Sequence, residues 1–407
     1  MDINKEIYSF VREDYQKDNF SDFLKKVGFS YDVPSIHISG TNGKTIVASM
    51  LANIYKSANY KTGLFISSSS KKDILEMIKI NGEPVSIEEV ESIYNENFKL
   101  FKKYDLSHFE IIVFIALSIF KKEKVDIAVI ECGMGGEFDA TNVFNPILSI
   151  ITNIGIEHTD YLGVSLSDIA LHKAGIIKNG VPSLIGEIEG DALDVIVDVS
   201  KKKNSKVTRI GESHNITPSN EGVKFDYKTY RDIFVPTLSK INVKNACLAI
   251  DAVDLLINSY KVDENALKDG LSHSLPKGRF EFHIGNPSFI FDAAHNPSAI
   301  IKLREDVDNV MSNKKVYIIF ACFKDKNITL MLPEISLLGS LTITTFDNPR
   351  AREEFDYFLY LDEYKFESDY HNVVKQIKEE NPDSIILFTG SSAFAELTSD
   401  EYSNGLL

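Results

Sequence analysis

The sequence predicts an α/β protein of two domains, each built around a mostly parallel sheet. Short apolar runs rich in Ile, Val and Phe alternate with amphipathic stretches, as expected of strands buried on both faces with helices between them. The alternation is interrupted near Lys206–Val235 and restarts after the turn-like residues 275–280. At 407 residues, with 43% hydrophobic and 25% charged residues, the chain is too long for one compact core.

In the first domain, residues 1–274, the runs Ser35–Ser39, Gly63–Ile66, Val125–Ile130, Ile147–Ile151 and Pro182–Ile185 read as strands. Capping boxes mark helix starts at Ser86 with Glu89, Ser107 with Glu110, and Ser165 with Asp168. The apolar run Ile111–Phe120 is bounded by charges and far too short to cross roughly 30 Å of hydrocarbon, so it reads as a core helix. Aromatic and polar residues alternate in FDYKTYRDIFV as in an antiparallel hairpin, and helical periodicity resumes at Lys244. The second domain, residues 275–407, is expected to place strands at Ser288–Phe291, Lys315–Phe320, Leu341–Thr345 and Ser384–Phe388.

The formal charge of -15 argues against a nucleic-acid binder, which needs a basic face to displace counterions. Anionic ligands must therefore be held locally. Cys132, Cys247 and Cys322 are too few and too scattered for a disulfide framework or a thiolate metal site, and they read as buried small residues in a reducing compartment. The N-terminal stretch lacks the apolar segment of a secretory signal, so a cytoplasmic protein without membrane contact is expected.

The segment IHISGTNGKTIVASMLANIYK runs from an apolar strand through Gly40-Thr41-Asn42-Gly43-Lys44-Thr45 into a helix. Such a loop brings backbone N–H groups to phosphate oxygens, with Lys44 as point charge and the Thr45 hydroxyl for Mg²⁺. Ile38 stands where the strict phosphate-loop spacing has its first glycine. A plain glycine-rich turn is the bland alternative, and nucleotide binding is favoured because three loop features coincide in the right context.

A second strand ends in Glu131 and a glycine-rich turn, ECGMGGEFDATN. Carboxylates at strand C-terminal ends face the ligand crevice of a parallel sheet, where Glu131 suits a hard cation; a surface carboxylate on a tight turn reads the motif equally well. Phe138 occupies the place of the last glycine of a dinucleotide fingerprint, which rules that motif out. Glu157-His158 and Asp160 follow another strand, and Lys173 lies in an apolar helical stretch where a lysine must be paired, neutral or modified. Asp292, His295 and Asn296 precede Pro297 at a helix start, as ligand contacts or as a satisfied N-cap.

Together GTNGKT, ECGMGG-FDATN, NIGIEHTDYLG, HKAGIIK, KGRFE, FDAAHNP, CFKDK and FTGSS follow the order of the signatures of folylpolyglutamate and dihydrofolate synthases, a branch of the Mur ligase family. The chain resembles that family from about Ser35 to Ala393, and IKINGEP (78–84) is similar to its substrate-side Asn-Gly segment. The resemblance implies an N-terminal P-loop ATPase domain and a smaller C-terminal Rossmann-like domain, with ATP and substrates in the cleft between them. It implies ATP contacts at Gly40 through Lys44, Thr45, Ile46, Asn245, Arg279 and Asp292. Metal ligands are implied at Thr45, Ser67, Glu131 and His158, and at Lys173 as the family's carbamylated lysine. His295 matches a position near the amino-acid substrate, so Lys44, Lys173 and His295 are the catalytic candidates. Ser107, His108, Phe109, Glu110, Phe138, Asp139 and Ala140 align with pterin-side contacts, with a capping-box role as the rival explanation for Glu110.

The implied reaction transfers phosphate from ATP to a substrate carboxylate, and the L-glutamate amine then displaces it to leave an amide. The implied partners are ATP, L-glutamate, a folate or dihydropteroate, and Mg²⁺, acting on a monomer that lacks coiled-coil heptads. Four features depart from the family pattern: Thr45-Ile46 after the lysine, Ser67 to Ser70 where Ser-Pro-His is usual, Glu137 where an arginine is usual, and Ile241-Asn242 where His-Gln is usual. A Mur-type ligase with a non-folate acceptor and a non-catalytic nucleotide-binding protein are the competing expectations. The short stretch before Gly40 argues against a cell-wall ligase, which carries a further N-terminal domain.

Overall fold

The computed structural model describes residues 2–12, 17–67, 73–311 and 314–407; Ser68, Ser69 and Ser70 of the serine run lie outside them. The chain forms two compact units. The first comprises Met1–His214, Asp226–Ile233 and Lys244–Ser274, the second Asn215–Phe225, Phe234–Val243 and Leu275–Leu407.

The first unit holds β1 (Ser35–Ser39), β2 (Thr62–Phe65), β3 (Ile78–Ile80), β4 (Glu83–Pro84), β5 (Ile127–Glu131), β6 (Leu148–Ile151), β7 (Ser183–Ile185) and β8 (Val207–Arg209). They form one sheet in the order β4-β3-β2-β5-β1-β6-β7-β8. Pairing is parallel from β2 to β8, and β3 and β4 add an antiparallel edge. That edge is the Asn-Gly segment: left-handed Asn81 (φ 53°) and Gly82 (φ 82°) turn it into a hairpin. The apolar run forms the middle of the His108–Lys122 helix, buried among Phe23, Phe101 and Val90.

Reciprocal capping boxes are present at Ser107/Glu110 and Ser165/Asp168. At the third expected box, Ser86 accepts the Glu89 N–H, whereas the Glu89 carboxylate pairs with Lys122 at 3.0 Å. A cation on a neighbouring helix outcompetes the reciprocal contact to a neutral N–H.

The strands β9 (His214–Pro218), β10 (Val223–Tyr227) and β11 (Tyr230–Val235) form a separate sheet in the order β11-β10-β9. β10 and β11 are the expected hairpin, joined by Lys228 and Thr229. The second unit carries β12 (Arg279–His283), β13 (Ser288–Asp292), β14 (Val316–Phe320), β15 (Ser340–Ile343), β16 (Lys365–Phe366) and β17 (Ile385–Thr389), ordered β12-β13-β17-β14-β15-β16. All pairs are parallel except β12 with β13. β12 falls partly where the sequence suggested only a turn; it sets Arg279 opposite Asp292. No helix among the described residues is long and apolar enough to cross a membrane, and all three cysteines are buried and free.

Candidate active site

β1 lies between β5 and β6, so the loops after β1 and β5 leave the sheet side by side at strand C-terminal ends, the ligand-binding edge of such sheets. The first loop, Gly40 to Thr45, enters the Lys44–Ser57 helix through left-handed Gly43 (φ 82°). A Cβ on Gly40 would sit 1.8 Å from Thr152 Oγ1, and one on Gly43 would sit 2.7 Å from Asn245 Oδ1, so both positions demand glycine. Asn245 thus lies against the loop. The N–H groups of Thr41 and Asn42 donate to the Asn153 carbonyl (3.1 Å) and Oδ1 (2.9 Å), and Thr152 Oγ1 donates to the Asn42 carbonyl (2.6 Å). Lys44 folds back, its Nζ donating to the carbonyls of Gly40 (2.8 Å) and Thr41 (3.1 Å). The Ile46 side chain is buried, so its contribution to an anion site is its backbone N–H in the first helical turn.

Glu131 closes β5 opposite Ile38 of β1. Its Oε1 accepts from Thr45 Oγ1 at 3.1 Å and from Ser67 Oγ at 2.9 Å. Three hard oxygens beside a phosphate loop form a donor set suited to Mg²⁺. No cluster of three His, Cys, Asp or Glu side chains suited to a metal occurs among the described residues, so His158 joins no such group. His158 is left-handed (φ 48°) at the start of the short Thr159–Leu162 helix. Lys173 is buried, with Nζ 2.7 Å from Glu157 Oε1. Burial pulls its pKa down to about 8, and the Glu157 carboxylate opposes that shift.

The loop after β5 lines a cavity of about 400 Å³. Every expected pterin-side residue borders it: Ser107, His108, Phe109 and Glu110 from the capped helix start, and Phe138, Asp139 and Ala140 from the loop. Ser67 borders it too, which links the cavity to Glu131. Gly133, Met134, Gly135, Gly136, Tyr161, Leu162 and His172 complete the wall, none of them given a role by the sequence analysis. The paired rings of Phe138 and His172, 5.5 Å apart, were invisible in the sequence because distant segments bring them together. The Glu110 carboxylate is already engaged, by the N–H (2.7 Å) and hydroxyl (2.9 Å) of Ser107 and by Arg12 Nη2 at 3.1 Å. Its capping role is thus real, and a direct charge contact to a ligand is the weaker assignment. Burial raises the Asp139 pKa, opposed by hydrogen bonds from Thr141 and Met134.

Arg279 and Asp292 lie opposite each other on β12 and β13 in the second unit, and His295 follows three residues after β13. Asp292 accepts the N–H of Phe280 (2.9 Å) and of Ala294 (2.8 Å), and burial pushes its pKa up to about 6 while Arg279 opposes the rise. His295 Nδ1 donates to the Ala293 carbonyl at 2.7 Å. Asn296 caps the Pro297–Met311 helix through Oδ1 to the Ala299 N–H, the N-cap alternative.

Residues 38–253 match the family model of the Mur ligase middle domain, and residues 278–392 match that of the Mur ligase, glutamate ligase domain. The class is that of the Mur ligases, nucleotide-dependent α/β enzymes. A dihydrofolate synthase/folylpolyglutamate synthase of Bacillus subtilis is 30% identical over 382 residues, covering 89% of each chain. The Escherichia coli protein of the same name is 30% identical over 300 residues, covering 72% of this chain and 68% of that one. A folylpolyglutamate synthase of Mycobacterium tuberculosis complexed with ADP superposes with a TM-score of 0.89 at 26% identity, covering 98% and 97% of the two chains. The chain belongs to the dihydrofolate synthase/folylpolyglutamate synthase family.

Proposed function

We propose that this protein adds L-glutamate to a folate, and also to dihydropteroate, through an acyl-phosphate intermediate, with the 400 Å³ cavity as the acceptor site. It is an ATP-dependent acid–amino-acid ligase that uses Mg²⁺. The observation that carries the acceptor assignment is Ser67, which borders the cavity while its hydroxyl lies 2.9 Å from Glu131. A ring bound in the cavity would have its carboxylate-bearing end beside the phosphoryl-handling group.

In this reading the Gly40–Thr45 loop, the Ile46 N–H, Asn245, Arg279 and Asp292 bind ATP. Thr45, Ser67, Glu131 and His158 would hold Mg²⁺, and a carbamylated Lys173 would bind a second ion. Bound Mg²⁺ supplies charge neutralisation on the transferred phosphoryl group. Lys44 leaves its two carbonyl partners for phosphate oxygens, where its charge offsets what develops on transfer. The aromatic wall of Phe109 and Phe138 takes the flat face of the acceptor, with Asp139 shaping the wall beside them. His295 orients the glutamate whose amine attacks the acyl phosphate and releases inorganic phosphate. We assign 1–274 as the ATPase domain and 275–407 as the ligase domain of a monomeric cytoplasmic enzyme with no nucleic-acid or membrane partner.

The test is phosphate release with Mg-ATP and L-glutamate, in parallel with dihydropteroate, a reduced folate monoglutamate or no acceptor, each product being weighed by mass spectrometry. Acceptor-dependent release with a product one glutamate heavier is expected. ATP binding without turnover on either pterin would overturn the acceptor assignment.

A further inference from the structure

Strand β1 is apolar on one face and polar on the other. Ile36 and Ile38 alternate with Ser35, His37 and Ser39, and all five are fully buried. Successive strand side chains point to opposite faces, so the three polar groups share one. Two of them grip the loop after β5: Ser39 Oγ donates to the Gly135 carbonyl at 2.5 Å, and His37 Nε2 lies 2.8 Å from Thr141 Oγ1. Thr141 in turn donates its hydroxyl to Asp139 Oδ1 at 2.5 Å and its N–H to the same oxygen at 3.0 Å. The Met134 N–H takes Asp139 Oδ2 at 2.8 Å.

A hydroxyl has a single proton. With that proton on Asp139, the Thr141 oxygen is an acceptor, so His37 Nε2 carries the imidazole hydrogen, with Cys132 Sγ also nearby at 3.1 Å. Nδ1 is then a bare acceptor, buried and without a hydrogen-bond partner among the described residues. Such an unpaired buried acceptor is destabilising, a cost that a well-packed apolar side chain would avoid. Packing therefore does not explain a histidine here, and the directed relay to Asp139 does. We infer that His37 is a positioning residue for the acceptor site: through Thr141 it fixes the orientation of the Asp139 carboxylate at the cavity wall. The same strand leads directly into the nucleotide loop, so one element aligns both substrate sites. The kinetic side of this inference rests on the reading of the cavity as the acceptor site.

Two measurements test it. In ¹⁵N-histidine-labelled protein without acceptor, one imidazole should carry its proton on Nε2 and stay neutral as the pH falls, and His37→Gln should remove that signal. A proton on Nδ1 overturns the relay whether or not a folate is a substrate. In steady-state assays, His37→Leu removes the donor, Thr141→Val removes the hydroxyl at constant shape, and His37→Gln keeps an N–H near the position of Nε2. The Leu and Val variants should raise the acceptor KM about tenfold, the size of one lost hydrogen bond, and leave kcat and the ATP KM within about twofold. His37→Gln should recover most of the loss. Equal impairment by Gln and Leu, or a parallel rise of the ATP KM, makes His37 a packing residue and overturns the inference; Thr141→Val decides the kinetic arm if His37→Leu does not fold. Wild-type protein inactive on every folate sinks the functional reading instead, and the tautomer measurement still decides the relay.

Discussion

The two loops that leave β1 and β5 are neighbours at the same edge of one sheet, yet they are held in opposite ways. In Gly40–Thr45 the functional side chains rest on exchangeable partners: Lys44 on two carbonyls, Thr45 on Glu131. In the loop after β5 the contacts are buried and interlocked. Ser39 holds Gly135, Thr141 holds Asp139, and Asn142 Nδ2 donates to the carbonyls of Glu137 (3.1 Å) and Gly175 (3.2 Å). A loop that receives a highly charged ligand gains by having partners a phosphate can replace. A loop that shapes an apolar cavity has no such ligand charge to organise it, so its form must come from the protein.

The sharpest break of this comparison is Lys44→Ala. With its transferable charge gone, turnover in the coupled phosphate-release assay should fall about a thousandfold while the thermal midpoint scarcely moves. Next comes Glu131→Gln, which keeps the shape but removes the anion that Thr45 and Ser67 address. Activity should drop about a hundredfold and the Mg²⁺ needed for half-saturation should rise; an unchanged Mg²⁺ curve would place the ion elsewhere.

The interlocked loop should reveal itself in stability instead. Burial lowers the His37 pKa from 6.5 to about 3, so between those values the unfolded chain binds a proton that the folded one does not. Folding stability should therefore fall as pH drops below about 6.5, by about 1.4 kcal/mol per pH unit from this group alone. Urea titrations of wild type and His37→Gln should show the variant with the flatter acid limb. Smallest is Asn142→Ala, which removes two hydrogen bonds, one within the loop after β5 to Glu137 and one tying that loop to Gly175. It should lower unfolding free energy by about 1 kcal/mol and raise the acceptor KM with the ATP KM unchanged.

How much of this was legible beforehand differs by element. β1 was readable to its exact bounds, because a run buried on both faces and ended by glycine has few alternatives. The edge strands were not: β3, β4 and β12 carry Lys79, Glu83 and Arg279, and a half-exposed strand lacks the apolar run that marks a central one. Among site residues, the pterin-side positions converge on one cavity; Tyr161, Leu162 and His172 lie inside quoted motifs, yet nothing along the chain shows that separate segments meet as its wall. The one available signal for the relay was the alternation Ser35, His37, Ser39 within an otherwise apolar strand, a polar face with period two.

By itself, the sequence determined the α/β class, the strand-to-helix phosphate loop, the capped helix starts and the carboxylate at the end of β5. All of these are local: each depends on backbone propensity, capping chemistry or hydrophobic period over a few neighbouring residues. Tertiary structure alone decided what meets across the fold. It brought Ser67 to Glu131, Arg12 to Glu110 and His37 to Thr141. Such contacts join residues far apart in the chain, and their geometry follows from strand order and packing rather than from any pattern along it.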